Sequence, residues 1–350
     1  MLTGVRRSRM EERKEQFDLL DQIPQPGLWV REGQILYVNP AAAALLIQPG
    51  DAFSGLLREM EEEYAVFQEG QLSLPLTVGS HRHTALITRM AEGDLVLLEE
   101  EAVWEEFRSM ALVSMELRGP LMQAITAARQ TSDPKLNRSL MQMLRMVSNM
   151  ADISRYTASA RMELRDVDSF LLELFEKAAA MAAHDIRITF QGLEQPLFSC
   201  IDPEQLERAV WNILSNCMKF TPRGGTIRGS LTRRGQTLRL TVEDNGSGIA
   251  EAVRSTVFRR YLRQPGIEDS RYGLGLGLAI VRTAAANHGG TVLITPGKEG
   301  GSRITMTLAI RQTEDTSLHS PLLRPDYTGG FDHALVELAD CLGPDHYTAK

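Results

Sequence analysis

The chain has 350 residues, 43% of them hydrophobic and 24% charged, which is enough apolar material for two or three packed domains and argues against general disorder. Its net charge of −7 argues against non-specific nucleic-acid binding, because phosphate neutralisation needs a basic surface. Cys200, Cys217 and Cys341 stand far apart without a CxxC pair, so neither a disulfide framework nor a thiolate metal site is expected, in keeping with a reducing compartment.

The opening MLTGVRRSRMEERKEQF lacks the apolar core of a signal peptide, and residues 1–17 read as an N-terminal helix or linker. No apolar run approaches the roughly 20 residues that a membrane span requires, so no membrane span is expected and the expected location is cytoplasmic.

From 18 to 98, short alternating runs are broken by Pro24, Pro26, Gly27, Gly33, Pro49, Gly50 and Gly79, the punctuation of a small α+β domain. The stretch LLDQIPQPGLWVREGQILYVNPAAAALL resembles the start of a PAS sensor domain: a helix, two strands around Arg31-Glu32-Gly33, then Asn39-Pro40 opening an Ala-rich helix. No haem-ligand or flavin-reactive cysteine motif accompanies it. His81 and His83, on an expected strand, read as surface residues.

From 99 to 160 the pattern is helical. Phe107, Met110, Ser114, Leu117, Leu121, Ala124 and Ala128 recur at alternating spacings of 3 and 4, as do Leu136, Leu140, Met143, Val147 and Met150. Such seams predict two antiparallel helices of coiled-coil type. Thr131-Ser132-Asp133-Pro134 between them supplies a cap and a proline at the first helical position. One hairpin leaves apolar surface uncovered, so two hairpins pairing into a four-helix bundle are expected. Within the first helix, Ser114-Met115-Glu116-Leu117-Arg118-Gly119-Pro120-Leu121 resembles the phosphoacceptor box of sensor histidine kinases, with Met115 where the acceptor histidine stands. A thioether cannot take a phosphoryl group. By that resemblance Glu116 is the residue that polarises the acceptor, and here it has none. Gly119 replaces the Thr or Asn with which many relatives hydrolyse a partner's aspartyl phosphate. Met115 itself reads as a flank methionine touching a neighbouring helix, and Pro120, lacking an N–H, is expected to kink the helix.

From 165 to 310, apolar helices near 168–183 and 203–219, strands near 226–244 and 291–310, and glycine-rich loops predict an α/β sandwich with helices on one face of a mixed sheet. Four segments resemble, in order, the boxes of the GHKL ATPase superfamily, which includes histidine kinases, gyrase and heat-shock chaperones. In Trp211–Pro222, similar to the N box, Asn212 and Asn216 lie four apart on one helical face. The resemblance implies Asn216 as the Mg²⁺ ligand, Lys219 as a phosphate contact, and Phe220 as part of the same site. Asn212 occupies the position that glutamate fills in the superfamily's true ATPases, so rapid hydrolysis is not expected. Val242–Ile249 matches the DNGxGI box, with Asp244 as acceptor for the adenine amino group and Gly246, Gly248 and Ile249 around the base. Val257–Arg263 resembles the F box that begins an ATP lid, with Phe258 as hinge anchor and Arg260 or Arg263 reaching the outer phosphates. Gly273-Leu274-Gly275-Leu276-Gly277 opens a helix and resembles the last box, a phosphate cradle of free backbone N–H groups. His288-Gly289-Gly290 reads as a structural helix end, and Gly300-Gly301-Ser302 fits the last hairpin.

The tail, 311–350, ends in a stretch where Leu335, Leu338, Ala339 and Leu342 form one apolar helical stripe, expected to dock on the ATP-binding domain, with a partner as the alternative. Nothing around His333 or His346 supports either as an acceptor.

The expected fold is thus multidomain α+β: a PAS-like domain, a helical hairpin forming a dimeric four-helix bundle, and a GHKL sandwich. The resemblance implies ATP and Mg²⁺ as ligands, a homodimer or a heterodimer with a related histidine kinase, and a response regulator as a further partner class. The leading expectation is a protein of the sensor histidine kinase family that binds Mg-ATP without autophosphorylating at the usual position. Two alternatives stay open: phosphorylation of a partner kinase's histidine in a mixed dimer, and a non-enzymatic scaffold switched by ATP.

Overall fold

The computed structural model describes residues 17, 20–100, 104–129, 133–155, 160–182, 185–248, 275–312 and 327–348. The expected N-terminal helix, except for its last residue, lies outside them, as do Thr131, Ser132, Ile249, the whole F box with Phe258, Arg260 and Arg263, the lid, Gly273 and Leu274. The chain divides into two compact units, Met1–Ala102 and Val103–Lys350. No described helix is long and apolar enough to cross a membrane.

The first unit is built on strands β1 (Gly27–Arg31) and β2 (Gln34–Val38), a short helix α1 (Pro40–Ala43), and strands β3 (Gln71–Val78), β4 (His81–Met90) and β5 (Gly93–Glu100). The strands pair antiparallel in the order β2-β1-β5-β4-β3. Asn39 fixes where the hairpin meets α1. Its Oδ1 accepts from the amides of Gly27 and Ala42, both at 2.9 Å, and its Nδ2 donates to three carbonyls between Leu20 and Gln25. A fully buried amide is tolerable only when so completely bonded. His83 is also buried, only 1% exposed, whereas a surface position was expected. Both neighbours of β4 are paired, and the ring tucks back toward the carbonyl of His81, 3.2 Å away.

The second unit begins with the hairpin α2 (Trp104–Arg129) and α3 (Pro134–Arg155). Asp133 caps α3, its Oδ1 accepting from the amides of Lys135 and Leu136. Helix α2 runs on through Pro120. The expected seam is only partly the buried one. Leu121, Ile125 and Ala128 are buried with Ser114, but Leu117 (49%), Leu136 (41%) and Met143 (48%) are exposed, as is Ala124. In α3 Val147 of the expected seam is buried, and the rest of the buried face is Asn137, Met141, Leu144, Arg145, Ser148 and Asp152. Apolar spacing alone did not distinguish the stripe turned toward this chain from the one turned away. The side chains of Phe107 and Met110 lie outside the described residues.

Then follow β6 (Glu163–Asp166), α4 (Val167–Ala182), β7 (Arg187–Gln191), β8 (Phe198–Ile201), α5 (Pro203–Phe220), β9 (Thr226–Arg234), β10 (Thr237–Asp244), α6 (Gly277–Asn287), β11 (Val292–Pro296) and β12 (Ser302–Ala309). A mixed sheet runs β11-β12-β10-β9-β7, with β7 parallel to β9 and the other pairs antiparallel. Helices α4, α5 and α6 pack on it through Phe175, Leu206, Ala209, Val210, Ile213, Ile280 and Ala284, against strand residues such as Leu240, Val242, Ile304 and Met306. This is the predicted sandwich. Strands β6, β7 and β8 were not foreseen. They are four or five residues long, too short for an alternation to stand out.

Beyond 327 the tail forms one short helix, α7 (His333–Glu337), and a turn of 3₁₀ helix at Pro344–Tyr347. The expected stripe is buried at Leu338, Ala339 and Leu342, but regular helix stops at Glu337. The tail docks on α5 of the sandwich and more extensively on α3 of the hairpin, a second contact that the sequence did not indicate.

Candidate functional site

Helix α5 starts at Asp202, whose Oδ1 accepts from the amide of Gln205 at 3.0 Å, with Pro203 in the first turn. The same residue ties α5 to the end of α6, because its amide donates to His288 Nε2 at 2.9 Å while His288 Nδ1 lies 2.7 Å from the Ala284 carbonyl. This geometry needs a neutral ring protonated on Nδ1, and burial pushes the imidazole pKa below its ordinary value of 6.5. The expected structural role of His288 is what the contacts show. An unfolded chain takes up this proton near pH 6.5 and the folded chain only at lower pH, so stability should fall as pH drops below about 6.5. Denaturant unfolding at pH 7.5 and 5.5 should show that loss, and His288→Gln should diminish it.

Strand β10 delivers the second element. Its residues alternate in burial, so Asp244 falls on the same inward face as Leu238, Leu240 and Val242. A carboxylate only 2% exposed at the end of an apolar strand face requires partners. Its Oδ1 accepts from the amides of Gly246 (2.8 Å) and Ser302 (3.3 Å), and its Oδ2 from the Ser302 hydroxyl at 2.7 Å. The buried Cys217 thiol on α5 also bonds it, and burial followed by the Asp244 charge pushes that thiol pKa well up. The backbone crowds in as well. A Cβ on Gly246 would sit 2.3 Å from the Phe220 carbonyl oxygen, and one on Gly277 would sit 2.8 Å from Asn212 Oδ1. Only glycine lets these turns approach so closely.

Three predicted segments therefore meet: Asn212, Asn216, Lys219 and Phe220 on α5, Asp244 to Gly248 after β10, and Gly275 to Gly277 opening α6. Asn216 and Phe220 are half-buried, and Leu276 is buried. Asn212 is buried, with its Nδ2 donating to the Arg208 carbonyl at 2.9 Å and its Oδ1 accepting from Arg145 at 3.3 Å. It is a neutral, fully engaged amide with no capacity to act as a base.

Sequence reasoning missed the groups that surround Lys219. Lys219 Nζ lies 2.9 Å from Asp340 Oδ2 in the tail, and Arg145 Nη1 donates to the same oxygen at 2.6 Å. Burial raises the Asp340 pKa, but Arg145 and Lys219 outweigh it and hold the carboxyl below its usual range. Deeper in, Arg208 is wholly buried. It bonds Asp152 through Nε at 2.6 Å, Asn149 at 2.8 Å and Glu337, and it lies over the Tyr327 ring, 4.7 Å from its centroid. Glu207 accepts from the Trp211 indole at 3.1 Å and lies 2.8 Å from His333 Nδ1. The only sequence signal was the row of charged residues on helices whose neighbours are apolar. Ser302, directly after Gly300-Gly301, was read as a hairpin residue and also holds Asp244.

At the phosphoacceptor-like segment, Ser114 is 1% exposed and Met115 68% exposed. Met115 thus lies on the flank and is largely exposed among the described residues. Glu116 and Gly119 are exposed too. A Cβ on Gly119 would meet nothing within 4 Å, so packing does not demand glycine there.

Residues 201–312 match the family described as histidine kinase-, DNA gyrase B- and HSP90-like ATPase. The chain is 29% identical over 189 residues to hybrid signal transduction histidine kinase D of Dictyostelium discoideum, covering 51% of this chain and 12% of that protein. It is 31% identical over 228 residues to the sensor histidine kinase TmoS of Ectopseudomonas mendocina, covering 58% of this chain and 23% of that one. It therefore spans less than a quarter of the length of either relative. Among solved structures, a mycobacterial sensor histidine kinase, MprB, aligns at 29% identity with a TM-score of 0.37 over 44% of this chain and 100% of that one. Residues 201–312 thus form a domain of the histidine kinase-, DNA gyrase B- and HSP90-like ATPase type, a type that implies ATP binding.

Proposed function

We propose that this protein binds Mg-ATP and signals through a partner, without accepting phosphate on its own hairpin. The observation that carries the reading is the contrast between the meeting of the segments at Asn216, Asp244 and Gly275 to Gly277 and the presence of Met115 in the hairpin. Asp244 is suited to accept the adenine amino proton, and Asn216 to hold Mg²⁺ through a neutral oxygen. Lys219 and the backbone N–H groups of Gly275 to Gly277 are suited to the phosphates. Ile249, Arg263, Gly273 and Leu274, outside the described residues, complete the proposed set. ATP supplies a transferable phosphoryl group when bound. Asn212 cannot activate water, and the thioether of Met115 has no nitrogen to phosphorylate, so the expected outcome is retained nucleotide with little turnover.

The domain plan follows the sequence: a PAS-like domain at 18–98, supported by the β1–β2 hairpin and the Asn39-capped helix after it; a hairpin at 99–160; the ATP-binding domain at 165–310; and the tail from 311. The exposed Leu112, Val113, Met115, Leu117, Leu136, Met143 and Met146 of the hairpin support a four-helix bundle with a second copy or a related kinase. A cytoplasmic location and a response regulator as downstream partner complete the reading. Incubating the purified chain with γ-labelled ATP and Mg²⁺ tests it, with reversible binding expected and no covalent label.

A further inference from the structure

The tail holds the hairpin and the ATP-binding domain through two kinds of contact. Side chains of the hairpin take its backbone: Arg138 donates to the carbonyls of Ala339 (3.0 Å) and Asp340 (3.2 Å), Gln142 to Ala339 (3.2 Å), Asn137 to Tyr347 (3.0 Å) and Arg118 to Tyr327. Its two inward carboxylates take cations. Glu337 is fully buried against Arg208 and Arg145, whereas Asp340 keeps 27% of its side chain exposed while bridging Arg145 and Lys219. Glu337 is thus an interior anchor, and Asp340 an edge contact within reach of solvent. Its two cations keep only 5% and 8% of their side chains exposed, so this carboxylate can be exchanged only for an anion that brings more charge to the same cations, as a phosphate chain does. Lys219 lies one helical turn from Asn216. The Arg145 that shares Asp340 also bonds Asn212 and the Ser215 hydroxyl (2.9 Å), so three polar side chains of the N-box helix are tied, directly or through Arg145, to the tail.

We infer that residues 327–348 are a reversible internal strap whose Asp340 carboxylate occupies the phosphate-binding lysine, so that Mg-ATP and the docked tail compete for Lys219. This regulation rests on the nucleotide reading of the α5 site. Nucleotide binding draws Lys219 away from Asp340, loosens the tail, and frees the hairpin from the ATP-binding domain. Without nucleotide the strap holds the two together.

The test uses the full chain and a fluorescent ATP analogue with Mg²⁺. Asp340→Asn removes the competing charge at nearly constant volume, and the analogue should bind it about fivefold more tightly than wild type. In wild type, saturating Mg-ATP should raise amide hydrogen exchange across 327–348, a measurement that stands even if the variant folds poorly. Unchanged or weaker binding by a folded Asp340→Asn chain overturns the strap while leaving the nucleotide site intact. Tail exchange that does not respond to bound nucleotide also overturns it. A wild-type chain that binds no analogue overturns the nucleotide reading and the strap together.

Discussion

Asp244→Asn is expected to weaken Mg-ATP binding by about 30- to 150-fold while leaving the fold in place. The carboxylate sits at the inward end of β10, where Gly246, Ser302 and Cys217 fix its orientation. An amide of the same shape presents a donor where the adenine amino group needs an acceptor. Two donors facing each other in a buried site forfeit the hydrogen bond and leave one group unsatisfied, a cost of roughly 2–3 kcal/mol. The backbone amide of Gly246 can still bond the remaining oxygen, so the thermal midpoint should move little. Equilibrium titration with a fluorescent ATP analogue, beside a melting curve, separates these effects. An unchanged dissociation constant would remove Asp244 from the base pocket.

Arg208→Ala should be the most damaging substitution for stability, at about 3–5 kcal/mol. The guanidinium is wholly buried between Asp152 of the hairpin and Glu337 of the tail. Its removal leaves two carboxylates in a low-dielectric interior without their shared cation. For a unit of this size that corresponds to a fall of roughly 10 °C in the melting midpoint. The exposed pair Arg223–Asp185, with an arginine side chain 87% exposed, is the contrast. Arg223→Ala should cost within about 0.5 kcal/mol. If the two variants melt together, the buried network does not hold this unit.

Where local chemistry decides, the sequence was a good guide. The cap at Asp133, whose side chain accepts from the amides of Lys135 and Leu136, depends only on neighbours within a few residues. Where distant segments decide, it was not. The hairpin carries two apolar stripes, and the tail chooses which part of α3 is covered, burying Arg145 and Asp152 and leaving Leu136 and Met143 outside. Lys219 shows the same limit within the site, because its partner Asp340 comes from the far end of the chain. His83 was misjudged because strand polarity suggests exposure, and the pairing of β4 along both edges cannot be read from β4 itself.

The direct measurement is phosphate transfer by the unmodified chain. Purified wild-type protein is incubated with γ-labelled ATP and Mg²⁺, then chased with excess unlabelled ATP and denatured in alkali. All label should exchange out, because nucleotide binds reversibly and Met115 cannot form a phosphoramidate. Alkali-stable, acid-labile phosphate remaining on the chain would contradict the account.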